Sequence, residues 1–239
     1  MDDKKIEKLN KIINESKYIV FFGGAGVSTE SGIPDFRSKD GLYNEKYDYE
    51  PEYMLSHDCF IDYPEEFYKF YFDKMIYKDA LPNDCHKTLQ KLEEKGLLKC
   101  IITQNIDGLH QKAEAKNVIE LHGNVNRLYC TMCDKEYSLT DIKENGIPYC
   151  DCGGILKPDV VLYGESLNGT LLKKAMQEIS RADTLIVGGT SLLVHPACDL
   201  VNLFNGDNLI IINKDKTPYD RYASLVIHDS IGEVFKTIK

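Results

Sequence analysis

Cys130, Cys133, Cys150 and Cys152 are separated by two, sixteen and one residues and run into Gly153 and Gly154. Thiolates paired this closely in sequence can form two knuckles that close a tetrahedral zinc site. Four cysteine ligands leave the ion no open position, so such a metal is structural and not catalytic. Reduced, unliganded surface thiols are the plainer alternative. The second pair is one residue shorter than the usual spacing. Cys59, Cys85, Cys100 and Cys198 are scattered along the chain.

Three further stretches carry chemistry. Residues 23–37, GGAGVSTESGIPDFR, combine glycines that allow close backbone approach to a pyrophosphate with Ser28, Thr29 and Ser31 as donors or caps. A bare glycine turn between strand and helix is the competing reading. Thr29 stands where the dinucleotide fingerprint has its third glycine, which excludes an ordinary dehydrogenase pattern. Residues 103–110, TQNIDGLH, place four polar side chains directly after an apolar run, where α/β proteins bind ligands. His122 next to Gly123 offers a general base with open access, since an imidazole titrates near neutral pH. Read alone, that histidine is better explained as a structural one.

These groups need a scaffold. Ile6, Leu9, Ile12 and Ile13 repeat at helical spacing and predict an amphipathic helix over 4–15. Apolar runs at 18–22, 98–103, 184–187, 208–212 and 223–227 predict buried strands, with helical patterns around 85–94 and 171–180. Strands alternating with helices predict a parallel α/β sheet. A tyrosine- and phenylalanine-rich stretch at 41–80, helical over 65–75, and the turn-rich stretch at 125–160 break that rhythm as insertions. Together they predict a smaller lobe against the sheet. The balance of 29 basic and 38 acidic residues gives a net charge of −9, which opposes a broad nucleic-acid surface or an anionic membrane surface. No apolar run reaches the roughly 18–20 residues needed to span a bilayer. The opening residues lack a signal-peptide pattern, so the chain reads as cytoplasmic, where thiols stay reduced.

Taken together these motifs resemble the sirtuin family of NAD-dependent protein-lysine deacylases, across nearly the whole chain. The resemblance rests on GAG-x-S-x-x-SGIPDFR at 24–37, TQNID-x-LH at 103–110, His122-Gly123, the GTS motif at 189–191 and Asn213 at a strand end. It implies one catalytic domain, 1–239, with a Rossmann-like large lobe (about 1–40, 81–124 and 164–239) and a small lobe (about 41–80 and 125–163) made of a helical insertion and a zinc-binding module. NAD, the cosubstrate, and an acyl-lysine peptide meet between them.

Carried over by motif, Ala25, Thr29, Phe36 and Arg37 contact NAD, Gln104 holds the nicotinamide ribose, and Ile106 and Asp107 bind the carboxamide. Thr190, Ser191 and Asn213 hold phosphate and the adenosine ribose, with Ile231 near the adenine. His122 is the general base and Asn105 positions water or ribose. The family's acyl oxygen attacks the ribose carbon as nicotinamide leaves, and O-acyl-ADP-ribose and free lysine follow. Val161, Leu162 and Tyr163 resemble the strand that pairs with substrate and lines the acyl-lysine tunnel. Cys130, Cys133, Cys150 and Cys152 hold one structural Zn2+. Partners are acyl-lysine proteins, with no direct nucleic acid and no membrane, and the chain is expected to be a monomer.

Gly23 replaces a common threonine, and Lys214 stands where an acid often follows the asparagine. Family members that remove succinyl or malonyl groups resemble one another in a Tyr-x-x-Arg pair. Here Tyr68 is present, but Tyr71 occupies the arginine position, and the chain's four arginines (Arg37, Arg127, Arg181, Arg221) lie outside that insertion. The resemblance therefore implies a preference for uncharged acyl groups. Mono-ADP-ribosyl transfer, or NAD or ADP-ribose binding without turnover, would use the same motifs. A zinc-ribbon interaction protein would leave 24–37 unexplained.

Overall fold

A computed structural model of the protein describes residues 2–35 and 50–239, so Phe36 and Arg37 lie outside the described residues. The chain opens with α1 (Asp3–Glu15), capped by the Asp2 carboxylate, with Leu9, Ile12 and Ile13 on its buried face. Next come β1 (Ile19–Gly23), the short helices α2 (Pro51–Met54), α3 (His57–Asp62) and α4 (Pro64–Lys74), then α5 (Asp84–Glu94), β2 (Leu98–Thr103), α6 (Leu109–Lys112) and β3 (Val118–Glu120). The strands β4 (Gly123–Cys130), β5 (Glu136–Ser138) and β6 (Leu156–Val160) follow. The chain ends with α7 (Gly169–Arg181), β7 (Thr184–Gly188), β8 (Asn208–Ile212), β9 (Leu225–Ile227) and α8 (Ile231–Phe235). No helix among the described residues is long and apolar enough to cross a membrane.

Six strands form a parallel sheet in the order β3-β2-β1-β7-β8-β9. The chain builds outward from β1 to β3 on one side and from β7 to β9 on the other, so the winding reverses between β1 and β7. Ligand crevices form at such a reversal, beyond the carboxyl ends of the strands. In register, Gly23 sits opposite Thr103 on one side and Gly188 on the other. Thr103 in turn pairs with Glu120, and Gly188 with Ile212. The loops that carry the glycine, TQNID, His122 and GTS motifs therefore leave the sheet from one edge.

Side chains alternate between two cores. Phe21, Ile101, Ile186 and Ile210 pack beneath α1, α5 and α8, while Val20, Phe22, Ile102, Val187 and Ile211 pack beneath α7. Burial on both faces is why these strands read as continuous apolar runs. A third cluster joins Phe60, Phe67, Tyr68 and Tyr71 of the helical insertion to Val125, Val160 and Leu162. The Tyr71 hydroxyl donates to the Val125 carbonyl at 3.4 Å, and the Tyr68 hydroxyl donates to the Leu156 carbonyl.

The structure corrects several expectations. The turn-rich 125–160 stretch contains an antiparallel three-stranded sheet, β5-β4-β6. The sixth parallel strand, β3, is three residues long, too short for its sequence to show a strand period. Instead of an α-helix, two 3-10 turns, Ala25–Val27 and Thr29–Ser31, follow the glycine motif among the described residues. β6 stops at Val160, so Val161, Leu162 and Tyr163 form an irregular segment, with a lone parallel bridge from Tyr163 to Ser56.

One buried polar pair lies under the sheet edge. His86 and His110 lie against each other with ring centroids 4.7 Å apart and planes tilted by 54°, both essentially inaccessible. His86 Nε2 and both His110 ring nitrogens have no hydrogen-bond partner. Burial lowers the His86 imidazole to about 4 and holds the His110 imidazole well below its ordinary value. The unfolded chain binds protons near about pH 6.5 that the folded chain refuses. The stability held by this neutral pair is complete above that pH and is lost as pH falls toward the depressed folded values. Thermal melts should therefore drop between about pH 7 and about pH 4.5 more steeply in wild type than in His86→Gln, whose side-chain oxygen can accept from the Asn83 amide that His86 Nδ1 accepts from in wild type. Equal slopes would contradict this account.

Candidate active site

The loops after β1 and β7 interlock. The Gly24 amide donates to the Gly188 carbonyl at 3.2 Å and the Gly26 amide to the Gly189 carbonyl at 2.8 Å. A Cβ on Gly26 would lie 2.8 Å from the Gly189 Cα, so this glycine serves a close approach of two protein loops. Ala25 and Thr29 stay partly open above that contact. Thr190 is buried and accepts from the Leu192 amide at 3.2 Å, with Gln104 Nε2 at 3.5 Å. Ser191 is exposed in the same loop.

A polar chain then runs from the loop after β2 back to the first loop. The Asn105 amide nitrogen donates through Nδ2 to Ser28 Oγ at 3.0 Å. Ser28 Oγ donates in turn to Asp107 Oδ2 at 2.6 Å. Asp107 Oδ1 accepts from the Leu109 amide at 2.8 Å. Burial raises the Asp107 carboxyl above its ordinary range, and the Ser28 and Leu109 donors oppose that rise. Ser28, read from the sequence as a generic donor, is the bridge between the two motifs. Its neighbours in space are 77 and 79 residues away in sequence, so no local pattern could reveal it. Ile106 packs against the aromatic cluster of the helical insertion.

His122 leaves the end of β3 through a turn that Gly123 makes possible. Gly123 has φ +83° and its missing Cβ would strike the Asp159 carbonyl, so another residue there is both strained and blocked. The imidazole Nδ1 lies 2.8 Å from the Gln104 carbonyl. A carbonyl only accepts, so Nδ1 carries the proton and Nε2 presents a lone pair. Burial lowers this imidazole below its ordinary value, and the hydrogen bond to Gln104 partly restores it. The neutral, proton-accepting form is the one present at neutral pH.

Alongside, the Val161 amide donates to the His122 carbonyl at 3.0 Å. Leu162 is buried in the aromatic cluster and Tyr163 is exposed. The Tyr163 amide and carbonyl are bonded to Leu55 and His57 of the helical insertion. Farther along the sheet edge, the Asn213 amide donates to Ile227 at 3.1 Å and its Nδ2 to the Asp215 carbonyl at 2.8 Å. Ile231 is buried at the start of α8, in contact distance of Gly188. The structure thus gathers the loops after β1, β2, β3 and β7 at one edge, with Asn213 and Ile231 at its flank.

The four cysteines converge at the far end of β4. Their sulfurs all lie within 4.8 Å of one another, with Cys130 to Cys152 at 3.4 Å, Cys133 to Cys150 at 3.7 Å and Cys152 to Cys133 at 3.5 Å. Zinc–sulfur bonds of about 2.3 Å at tetrahedral angles require sulfurs about 3.8 Å apart. The set fits a zinc ion, and the short Cys150-x-Cys152 knuckle is absorbed by a tight turn in which the Gly153 amide donates to the Cys150 carbonyl at 2.9 Å.

The Sir2 family model matches residues 24–196. This chain belongs to the Sir2 family. A Clostridium acetobutylicum protein named NAD-dependent protein deacetylase is 57% identical over 98% of each chain. One of the same name from Clostridium perfringens is 59% identical, again over 98% of each chain. A solved Sir2 complex with a p53 peptide and NAD+ superposes with a TM-score of 0.85 at 40% identity, covering 97% of this chain and 95% of that one. A Sir2 homologue in complex with NAD gives 0.86 at 43% identity, over 96% and 90%.

Within this Sir2 fold the cysteine cluster sits against a three-stranded sheet whose small apolar core includes Cys130 and Cys150. Metal binding then supplies folding free energy. Purified protein should carry one tightly held, chelator-resistant zinc per chain. Cys130→Ala should lose that zinc and melt the small sheet, seen as metal loss with increased proteolysis between 124 and 160. A wild-type chain free of zinc after gentle purification, or a Cys130→Ala chain with full zinc, would refute this.

Proposed function

We propose that this chain removes acetyl groups from protein lysine side chains in an NAD-dependent reaction, releasing nicotinamide, free lysine and O-acetyl-ADP-ribose, with His122 as general base. The observation that carries the reading is the His122 tautomer. With Nδ1–H committed to the Gln104 carbonyl, Nε2 is the free proton acceptor at the edge where the motif loops meet. NAD supplies an activated ribose carbon whose departing group is nicotinamide. Asp107 and Ile106 would hold the carboxamide, with the carboxylate oriented by Ser28 and the Leu109 amide. Asn105, fixed through Ser28, would position water or ribose, and Gln104 would bind the ribose. His122 Nε2 would take the proton of a ribose hydroxyl.

Ala25, Thr29, Phe36, Arg37, Thr190, Ser191, Asn213 and Ile231 would complete the NAD site, and Val161, Leu162 and Tyr163 the acyl-lysine passage. Zinc, when bound to its four cysteines, supplies rigidity alone, because a closed thiolate shell has no position for substrate. The division into a large lobe (1–40, 81–124, 164–239) and a small lobe (41–80, 125–163) belongs to the same reading. So does a monomeric, cytoplasmic enzyme; for the compartment alone, support comes from a cysteine set arranged for metal and suited to reducing conditions.

Mass spectrometry of an acetyl-lysine peptide incubated with NAD tests this directly. Acetyl-ADP-ribose with free lysine supports deacetylation, whereas ADP-ribosylated protein or no product refutes it. His122→Ala should lose activity by at least about a hundredfold while keeping most NAD affinity, and retained turnover would remove the assignment. Because burial holds the imidazole below its ordinary value, the acid limb of kcat/KM should lie below about pH 6.5, with a plateau above it.

Acyl choice follows from the aromatic cluster. Tyr68 and Tyr71 are fully buried, with both hydroxyls donated to backbone carbonyls, so neither is free to receive a distal carboxylate. An unpaired carboxylate in that apolar surrounding costs on the order of several kcal/mol. A succinyl-lysine peptide should therefore show kcat/KM at least about a hundredfold below its acetyl counterpart. Comparable efficiencies would overturn the assignment.

A further inference from the structure

Beyond Thr190 and Ser191 the loop turns through His195 into a 3-10 turn at Ala197–Leu203. Three side chains converge there. His195 Nδ1 lies 2.8 Å from Asp199 Oδ2 and 3.4 Å from Cys198 Sγ, and the three donor atoms all lie within 4.8 Å of one another. None of them belongs to the four-cysteine centre, and the proposed deacetylation uses none. Cys198 is buried at 1% exposure, whereas the His195 and Asp199 side chains are 70% and 53% exposed.

Thiol and carboxylate meet the same ring nitrogen. A thiol–imidazole–carboxylate relay uses the two ring nitrogens separately, one toward the nucleophile and one toward the acid. Convergence on Nδ1 is therefore the wrong geometry for a nucleophilic cysteine. It suits a shared cation. At tetrahedral angles, metal bonds of about 2.0–2.3 Å need nitrogen and sulfur about 3.5 Å apart, and nitrogen and oxygen about 3.4 Å apart. The first separation is already present. The second needs only a small rotation of the exposed Asp199 carboxylate.

We propose that His195, Cys198 and Asp199 form a second metal site, open and exchangeable, for a divalent transition ion with water in the fourth position. Thiolate and imidazole ligands select zinc, cobalt or nickel over magnesium and calcium. Binding forms a metal–sulfur bond, breaks the S–H bond of Cys198 and releases its proton to solvent. The His195 Nδ1 proton is released likewise, or moves to Nε2. The ion ties His195, at the end of the Thr190–Ser191 loop, to the turn that follows.

Cobalt titration of the zinc-loaded protein, stripped of loosely held metal by brief EDTA treatment, tests the site. The expected result is one added equivalent of cobalt, with tetrahedral visible bands and a thiolate-to-cobalt band of single-thiolate intensity. Cys198→Ala should abolish the thiolate band. His195→Ala and Asp199→Asn, at exposed positions that leave the core intact, should each weaken cobalt binding at least about tenfold. Zinc retained by the four-cysteine centre should stay at one per chain in every variant. A wild-type protein with no thiolate band would overturn the proposal. So would a titration unchanged in the three variants, or cobalt uptake matched by zinc release.

Discussion

Parallel pairing in strict register is the constraint on which the rest of this molecule depends. Gly23, Thr103, Glu120 and Gly188 stand at one level of the sheet, and the chain must leave every one of those strands on the same side. Residues separated by most of the sequence are brought together by the backbone pairing of these strands. The interlocked amides of Gly24 and Gly26 with the carbonyls of Gly188 and Gly189 carry that alignment past the end of the sheet. A shift of one residue in β1 would exchange Phe21 and Phe22 between the two cores and separate Ser28 from Asp107 at the same time.

The polar chain above that edge is ordered by donor and acceptor chemistry. An amide NH2 can only donate and a carboxylate, when ionised, can only accept, so the Ser28 hydroxyl between Asn105 and Asp107 has a fixed direction. The Gln104 carbonyl imposes the same kind of choice on His122. Neither group needs a charged neighbour to fix its donor and acceptor directions. Burial sets the histidine neutral, and backbone geometry selects the nitrogen that stays free.

Sequence was most informative where one physical demand dominated. β1, β2, β7 and β8 are buried on both faces, and their apolar runs showed it. Motif residues such as His122 and Asn105 were legible through their resemblance to a family, since a lone histidine beside glycine has no distinctive pattern. β3 and the antiparallel β4, β5 and β6 stayed hidden, because three-residue strands and strands packed against a metal knuckle carry little periodicity. The 3-10 turns after Gly24 were also hidden, because serine and threonine there read equally well as helix caps. Ser28 as a bridge and the Tyr68 and Tyr71 hydroxyl bonds could not be seen at all. Their partners are fixed only once distant segments meet.

Those two tyrosines have a further consequence for how the protein can change. Phe67, Tyr68 and Tyr71 share a cluster with Leu162, and the two tyrosine hydroxyls fasten the helical insertion to β4 and β6. The surface that would choose among acyl groups is thus also the seam that holds two modules together. An arginine at position 71 would gain a carboxylate partner only by burying a guanidinium under Val125 and freeing a backbone carbonyl. Under the proposed function, a change of acyl range would first have to rebuild that seam, which would tie selectivity to cohesion as much as to chemistry.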